Sequence, residues 1–486
     1  MDKKLETLYR ELGWRGTPRD TRQALASGGG MAASPARPAA AGDSEPLAPE
    51  GLGELERELR EDPEELLRSL REMLRYPITS QMVVEALAEL RVAFEAPDSY
   101  LTVRQLQARA LLPWCNPPRE IQEMFPDIPV NPCDRKFEPV ADLTGWILFG
   151  LSAKRARNRG DVRIAGFPKH DDPGNTTGFV YRLCGRDGGL AGADDMVRLA
   201  LFGDFGTGLY YSRFIARQIA GLHPAYAIHL GDVYYAGQSE EVRSHLADPL
   251  QPLLAGTRVF VLNANHEMYA GGVPYFTYLE QKRQAPTTQE QEGSYFCLRS
   301  DRYSVIALDA DYDWRNEGRL LMPTQVRWLA EQLREGRRNG GINILLTQHE
   351  PYQLGALEPM PLLRDLAACA KDDQGRWMID YWFWGDEHYC ALFEPTAAAP
   401  FVGSCIGHAG HPIYWGHVIQ WADQNAAGNR FARTEWVERD ARFPDRIFDN
   451  NRGNPGFCVL ELGPTGVGIT YYDWLGRERY RHPLRP

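Results

Sequence analysis

Long apolar runs are missing from this chain, and so are paired cysteines and clusters of basic residues. No segment is apolar and long enough to cross a bilayer, so no membrane anchor is expected. The opening MDKKLETLYRELGW is amphipathic and lacks the apolar stretch of a secretory signal, which points to a cytoplasmic location. Eight cysteines (Cys115, Cys133, Cys184, Cys297, Cys369, Cys390, Cys405 and Cys458) include no Cys-x-x-Cys pair, which argues against a zinc ribbon. A chain this long needs no disulfide framework either. The net charge of −11 and the lack of a Lys/Arg stripe disfavour attraction to nucleic-acid phosphates or anionic lipid. What remains is the composition of an ordinary globular protein, 43% hydrophobic and 24% charged over 486 residues. That length allows two or three domains and a sizeable core.

Residues 1–26 read as a short helical segment with Leu5, Leu8, Tyr9 and Leu12 on one face. Residues 27–50 are rich in Gly, Ala, Ser and Pro and bury almost nothing, as in a flexible linker. Residues 51–132 read as a helical N-terminal region. Asp62-Pro63-Glu64-Glu65 combines a cap, a first-turn proline and a capping-box glutamate ahead of Leu66, Leu67, Leu70, Met73 and Leu74. Val83, Leu87, Leu90 and Phe94 mark a second helix, Thr102 and Gln105 the start of a third, and Pro-rich residues 113–132 a boundary. Such helices either pack on a catalytic domain or recruit a protein partner. Residues 133–196 read as an irregular or β lead-in with one strand at 179–183.

From 197 to 486, strands alternate with helices. Strand-like runs fall at 197–202, 226–230, 258–262, 303–308, 342–346 and 382–384, with helices near 211–221 and 324–337, the latter capped by Thr324. Residues 457–462 and 467–472 flank Gly463-Pro464-Thr465-Gly466 as a hairpin. Alternating βα units with a late hairpin predict an α/β fold in α/β/β/α layers.

Five short stretches follow these strand-like runs: Gly203-Asp204-Phe205-Gly206, Gly231-Asp232-Val233-Tyr234-Tyr235, Asn265-His266-Glu267, Gln348-His349, and Gly385-Asp386-Glu387-His388. Each supplies an oxygen or imidazole group at the edge of the sheet where ligands bind in α/β proteins. Carboxylate, amide and imidazole donors suit Fe, Mn or Zn rather than a thiolate site. One carboxylate can hold two cations about 3.5–4 Å apart, and Asp232 is the natural bridge. Two such cations acidify a bound water and neutralise phosphoryl oxygens, so phosphate ester hydrolysis is the matching chemistry.

The order of these stretches resembles the calcineurin-like metallophosphoesterase superfamily, and the first two resemble its purple acid phosphatase branch. There G-D-x-G lacks an early histidine and a tyrosine three residues after the second aspartate replaces it; here Gly206 and Tyr235 hold those places. The resemblance runs from about 197 to 475. It implies a metallophosphoesterase-type sandwich, with a first metal on Asp204, Asp232, Tyr235 and His388 and a second on Asp232, Asn265, His349 and Asp386. It further implies that His266 stabilises the transition state or protonates the leaving oxygen. A tyrosinate ligand implies Fe(III) paired with Fe, Zn or Mn(II), acting on a phosphorylated small molecule or other phosphoester.

Two positions depart from the pattern. Ala264 stands where the family has glycine, and a positive φ there would cost about 1 kcal/mol or more. Asp386 stands where the first histidine of G-H-x-H belongs. Aspartate still offers an oxygen ligand, but it lowers the positive charge of the site and shifts preference from dianionic monoesters towards monoanionic diesters. Gly407-His408-Ala409-Gly410-His411 is a rival ligand block, or a source of a substitute imidazole. Two readings of other kinds accompany the enzyme: a catalytically impaired binding protein on the same fold, and an effector whose N-terminal helices recruit a partner.

Overall fold

The computed structural model describes residues 47–74, 76–95, 137, 142–185, 195–284, 291–312, 320–338, 340–354, 358–412, 415–425, 431–440 and 452–485. The helix expected over 1–26, the linker up to residue 46, the helix expected at Thr102, and residues 113–132 lie outside them. The chain divides into two compact units, Met1–Val162 and Arg163–Pro486.

In the first unit, α1 (Pro49–Glu61) begins inside the stretch read as linker, because Pro49 stands in its first turn, where a missing N–H costs nothing. Helix α2 (Pro63–Leu74) buries Leu66, Leu67, Leu70, Met73 and Leu74, the face its spacing predicted. Helix α3 (Ser80–Glu95) buries Val83, Leu87 and Leu90. Residues 143–159 are not an irregular lead-in. They form a helical run, α4, whose WILFGL segment buries Trp146, Ile147, Leu148 and Leu151. Leu47 N–H donates to Leu148 O at 3.0 Å, and Arg155 pairs with Glu58 at 2.5 Å, so α4 belongs with the N-terminal helices.

The second unit is the expected sandwich. A six-stranded sheet runs β14-β13-β12-β2-β3-β4, built from β2 (Val197–Phe202), β3 (Tyr226–His229), β4 (Arg258–Val261), β12 (Gly456–Gly463), β13 (Gly466–Asp473) and β14 (Glu478–Arg485). An eight-stranded sheet runs β1-β5-β6-β7-β8-β10-β9-β11. Its members are β1 (Val180–Arg182), β5 (Phe296–Arg299), β6 (Tyr303–Ala307), β7 (Ile342–Thr347), β8 (Tyr381–Trp384), β9 (Cys390–Glu394), β10 (Val402–Ile406) and β11 (Arg433–Val437). Strands β2, β3 and β4 are parallel, as are β6, β7, β8 and β10. The hairpin β12–β13 lies antiparallel against β2.

Period-two alternation sorts the side chains into layers. Leu199, Leu201, Ile228 and Leu460 of one sheet meet Val305, Ile344, Leu346 and Phe383 of the other in a single apolar core. Ile306, Leu345, Trp382 and Trp384 point the opposite way and pack with Trp328, Leu329 and Leu333 of helix α7 (Pro323–Arg337). Helix α5 (Tyr210–Leu222) connects β2 to β3, and the short α6 (Asn265–Tyr269) follows β4. Thr324 is not the cap of α7: Pro323 opens the helix and Met322 precedes it without a side-chain cap. Among the described residues, no helix is long and apolar enough to cross a membrane.

Candidate metal centre

The parallel strands end on one edge, and the loops beyond them interlock through the backbone. Asp204 N–H donates to Gly231 O (3.1 Å), Gly206 N–H to Asp232 O (3.1 Å), and Gly203 N–H to Ile406 O (3.1 Å). His411 N–H reaches Asp204 O (2.9 Å), and Asp386 N–H donates to the Asp204 side chain at Oδ2 (2.9 Å). The loop after β2 is therefore the hub that joins those after β3, β8 and β10.

Side chains converge there in two groups. Ligand atoms of Asp204, Asp232 and His388 lie within 4.8 Å of one another, and so do those of His349, Glu350 and Asp386. The hydroxyl inside the first group belongs to Tyr234, not to Tyr235 as the family spacing implied. It lies 2.7 Å from Asp204 Oδ1, 2.9 Å from Asp232 Oδ2 and 3.0 Å from His388 Nε2. Tyr235 instead contributes main chain: its N–H donates to Glu241 Oε1 (2.6 Å), and its carbonyl accepts from His266 Nδ1 (2.7 Å). The His266 ring lies between Tyr234 and Tyr269, with centroids at 4.4 and 4.9 Å. Asn265 Nδ2 donates to Tyr269 OH at 3.2 Å. His349 faces Asp386 Oδ2 through Nδ1 (3.3 Å) and Asp311 Oδ1 through Nε2 (2.7 Å).

His411 stacks on His388, with centroids 3.7 Å apart, and also lies against Tyr234. Both histidines of the rival block are buried. His229 is an interior group beside Phe202 and Phe205, and burial alone pushes it down to about 3, leaving it neutral. Tyr352 is core, packed with Trp384, Phe393 and Phe401. Reading along the chain missed Tyr234, Asp311 and Glu350. The last two stand within three residues of an expected strand end or ligand, which was the available signal.

Backbone geometry marks the same positions. Asp204 (φ 58°), Asp232 (φ 76°), Asp386 (φ 64°) and His388 (φ 54°) occupy the left-handed region. For residues other than glycine, this conformation concentrates at ligand-holding sites where the surroundings over-determine it. The strain anticipated at Ala264 is absent, because its backbone is extended (φ −146°, ψ 174°). Its methyl group fits because Gly231, at φ 112°, faces it: a Cβ there would stand 2.7 Å from Ala264 Cβ.

Electrostatically the first group is crowded with acid. Burial pushes Asp204 up to about 7, with the Tyr234 hydroxyl pulling it down and the Asp386 charge raising it again. Asp232 is also raised well above the usual carboxylate range by burial, against the pull of His266 and with Asp204 and Asp386 adding to the rise. Burial lowers His266. Burial also works against a charged His349, but Asp311, Asp386 and Glu350 outweigh it and hold its pKa well up. Asp232 Oδ1 and Asn265 Oδ1 are buried acceptors without a donor. Orphaned acceptors among converging carboxylates and imidazoles are what a hard or borderline cation requires, so the residues fit a metal pair.

Residues 197–390 match the calcineurin-like phosphoesterase family. No curated protein matches the chain. Among solved structures, the chain is similar to GAP50, the anchor in the inner membrane complex of Plasmodium (13% identity, 60% of this chain and 89% of that one, TM-score 0.42). It is also similar to purple acid phosphatase PPD1 from yellow lupin (Lupinus luteus) seeds, at 14% identity over 59% of this chain, with a TM-score of 0.41. That match spans 53% of the lupin chain. A dimetal phosphatase from Danio rerio matches at 11% identity over 57% of this chain and 95% of that one, with a TM-score of 0.35. Identities this low say nothing about activity.

Proposed function

We propose that the chain is a dinuclear metal-dependent phosphoesterase that hydrolyses phosphate mono- or diesters. The observation that carries this reading is the convergence of Asp204, Asp232, Tyr234 and His388 beside His349 and Asp386. Asp204, Tyr234 and His388 would hold one cation, Asn265, His349 and Asp386 the other, and Asp232 both. A cation pair, when bound, supplies an acidified water as nucleophile and neutralises the phosphoryl oxygens.

The chain's own groups do the rest. Tyr269 takes the Asn265 amide hydrogen, which leaves the buried Asn265 Oδ1 as the atom that would bind a cation. The Tyr235 carbonyl holds His266 by Nδ1, which leaves Nε2 as the atom that hands a proton to the departing alkoxide. With its Nδ1 hydrogen on that carbonyl, the ring has a proton to give at Nε2 only as the imidazolium, which burial opposes and the Asp232 charge favours. Tyr234, buried between two carboxylates, keeps its proton far above the ordinary phenol range. Ionising it takes a strongly charged cation, which supports Fe(III) at the first position with Fe, Zn or Mn(II) at the second. The substrate in this reading is a phosphorylated small molecule or other phosphoester.

The test is metal analysis together with hydrolysis of p-nitrophenyl phosphate and bis(p-nitrophenyl) phosphate by protein reconstituted with Fe, Mn or Zn. Two metals per chain and turnover abolished in Asp232→Asn is the expected result. Less than one metal per chain with no hydrolysis of either ester would end the proposal. Two tightly held metals without turnover would point to a binding protein on this fold.

A further inference from the structure

Three acids surround His349. Its Nδ1 lies 3.3 Å from Asp386 Oδ2 and 3.8 Å from Glu350 Oε2, and its Nε2 lies 2.7 Å from Asp311 Oδ1. All three acids are buried: Asp311 is 0% exposed, Glu350 2% and Asp386 3%. One imidazolium cannot balance three buried carboxylates, and uncompensated charge in such a place is costly. More positive charge belongs there than this chain supplies.

The surroundings show where it goes. Gln353 Nε2 donates to Glu350 Oε1 at 2.9 Å and to Glu387 Oε1 at 2.8 Å. Glu350 is thereby fixed by one oxygen while the other, Oε2, faces His349 Nδ1. Nδ1, Asp386 Oδ2 and Glu350 Oε2 thus form one face with atoms close enough to share a cation.

Asp311 stands on the other side of the ring and is held with equal care. Asn263 Nδ2 contacts both oxygens of Asp309 (3.1 and 3.2 Å), and Gln325 makes two bonds to the Asp309 main chain (2.9 and 2.8 Å). Asp309 Oδ1 in turn accepts from Asp311 N–H (3.1 Å). Nε2 stands 2.7 Å from Asp311 Oδ1, and among the described residues no other donor reaches either Asp311 oxygen. A buried carboxylate so placed needs the Nε2 hydrogen. Histidine ligands commonly give their second N–H to a carboxylate, which sets the tautomer and the ring orientation.

We propose that Glu350 is a ligand of the second cation and that Asp311 is the positioning residue that takes the Nε2 hydrogen of His349, so that His349 binds the cation through Nδ1. The resulting shell of Asp232, Asp386, Glu350, Asn265 and one imidazole is mostly oxygen, which suits Mn(II) or Fe(II). The inference rests on the dinuclear reading above and deepens it: glutamate and aspartate make up for the histidine that residue 386 lacks.

The experiment uses the full chain, loaded with Mn(II), as wild type and as Glu350→Gln, Asp311→Asn, His349→Asn and His349→Gln. Bound Mn per chain, the electron paramagnetic resonance spectrum and the metal-induced rise in Tm are measured. The wild type should bind two ions with a spin-coupled spectrum. Glu350→Gln should retain the first ion, bind the second at least tenfold more weakly and show the spectrum of an isolated ion. Asp311→Asn should weaken the second ion about 10–100-fold, the usual effect of losing a group that orients a ligand. Should either variant lose its cooperative melt, the pair at 349 decides. The asparagine oxygen stands near Nδ1 and should retain part of the second-ion affinity, whereas glutamine, which mimics Nε2, should not. Two ions at wild-type affinity in Glu350→Gln, or retention by glutamine and not asparagine, overturns the inference and leaves the dinuclear reading standing. A wild type that binds no metal overturns both.

Discussion

Tyr234 and Tyr235 are neighbours in sequence and both are buried, yet they serve the site differently: one by its hydroxyl, the other by its main chain. Tyr234→Phe removes a group lying within 3.0 Å of two carboxylates and His388. It should lower affinity at the first metal position about 10–100-fold and abolish any tyrosinate-to-Fe(III) absorption band. Tyr235→Phe should leave both unchanged, and titration followed by visible absorption distinguishes the two. Asp386→His exchanges a carboxylate for a neutral ring and raises the positive charge of the site. The ratio of monoester to diester turnover should rise, and an unchanged ratio contradicts the charge argument. Elsewhere, burial lowers Lys282 to about 7, and its Nζ donates to Val259 O at 2.6 Å. The unfolded chain keeps that proton up to the model-peptide pKa of about 10.4, so between roughly pH 7 and 10 the unfolded state binds more protons than the native one. This group's contribution to stability therefore rises with pH, by up to about 1.4 kcal/mol per unit, and is lost as pH falls through 7. Denaturant melts of wild type and Lys282→Met should diverge with that slope over pH 7–9, and parallel curves would refute it.

Each element is short and gains its stability by facing two layers. In β8, Phe383 enters the core between the sheets while Trp382 packs with Phe401 and Trp384 with Tyr352 and Phe393 on the other side, so the strand carries apolar residues on both faces. Phe383→Ala should cost about 3–5 kcal/mol in urea unfolding, as expected for an aromatic truncated in a close-packed core. The loop that leaves β8 has the opposite problem, too little room. A Cβ on Gly385 would stand 2.3 Å from Gln348 Oε1 and 2.8 Å from Asp204 Oδ2. Gly385→Ala should therefore impair metal binding more than it impairs folding, seen as an apo Tm near wild type with a reduced metal-induced rise.

At the scale of the whole molecule, the division near residue 162 separates helices from sandwich. The α4 run ties itself to α1 and to Leu47 by polar contacts, and among the described residues every strand lies in the second unit. The second unit has its own two cores, so residues 163–486 expressed alone should melt cooperatively and keep the metal stoichiometry of the full chain. A fragment that is insoluble, or melts without a transition, would show that the helices complete the fold.

The strands β1 to β4, β6 to β8 and the β12–β13 hairpin, the α/β layering and the Gly-Asp, Asn-His and Gln-His stretches were legible along the chain because they depend on local matters, whereas β5, β9, β10, β11 and β14 were not read. Period-two burial makes a strand, and a polar residue just beyond it must sit at the sheet edge. The α4 helix escaped notice because its WILFGL segment is apolar all round, so no periodicity marks it. Which of two adjacent tyrosines turns inward, and which acids close around His349, depend on contacts between loops that lie tens to hundreds of residues apart. Tyr234 meets Asp204 and His388 only when β2, β3 and β8 stand in register; Asp311 meets His349 only when β6 lies beside β7. Local propensity carries no information about such meetings, because packing the two sheets against each other is what brings these loops together.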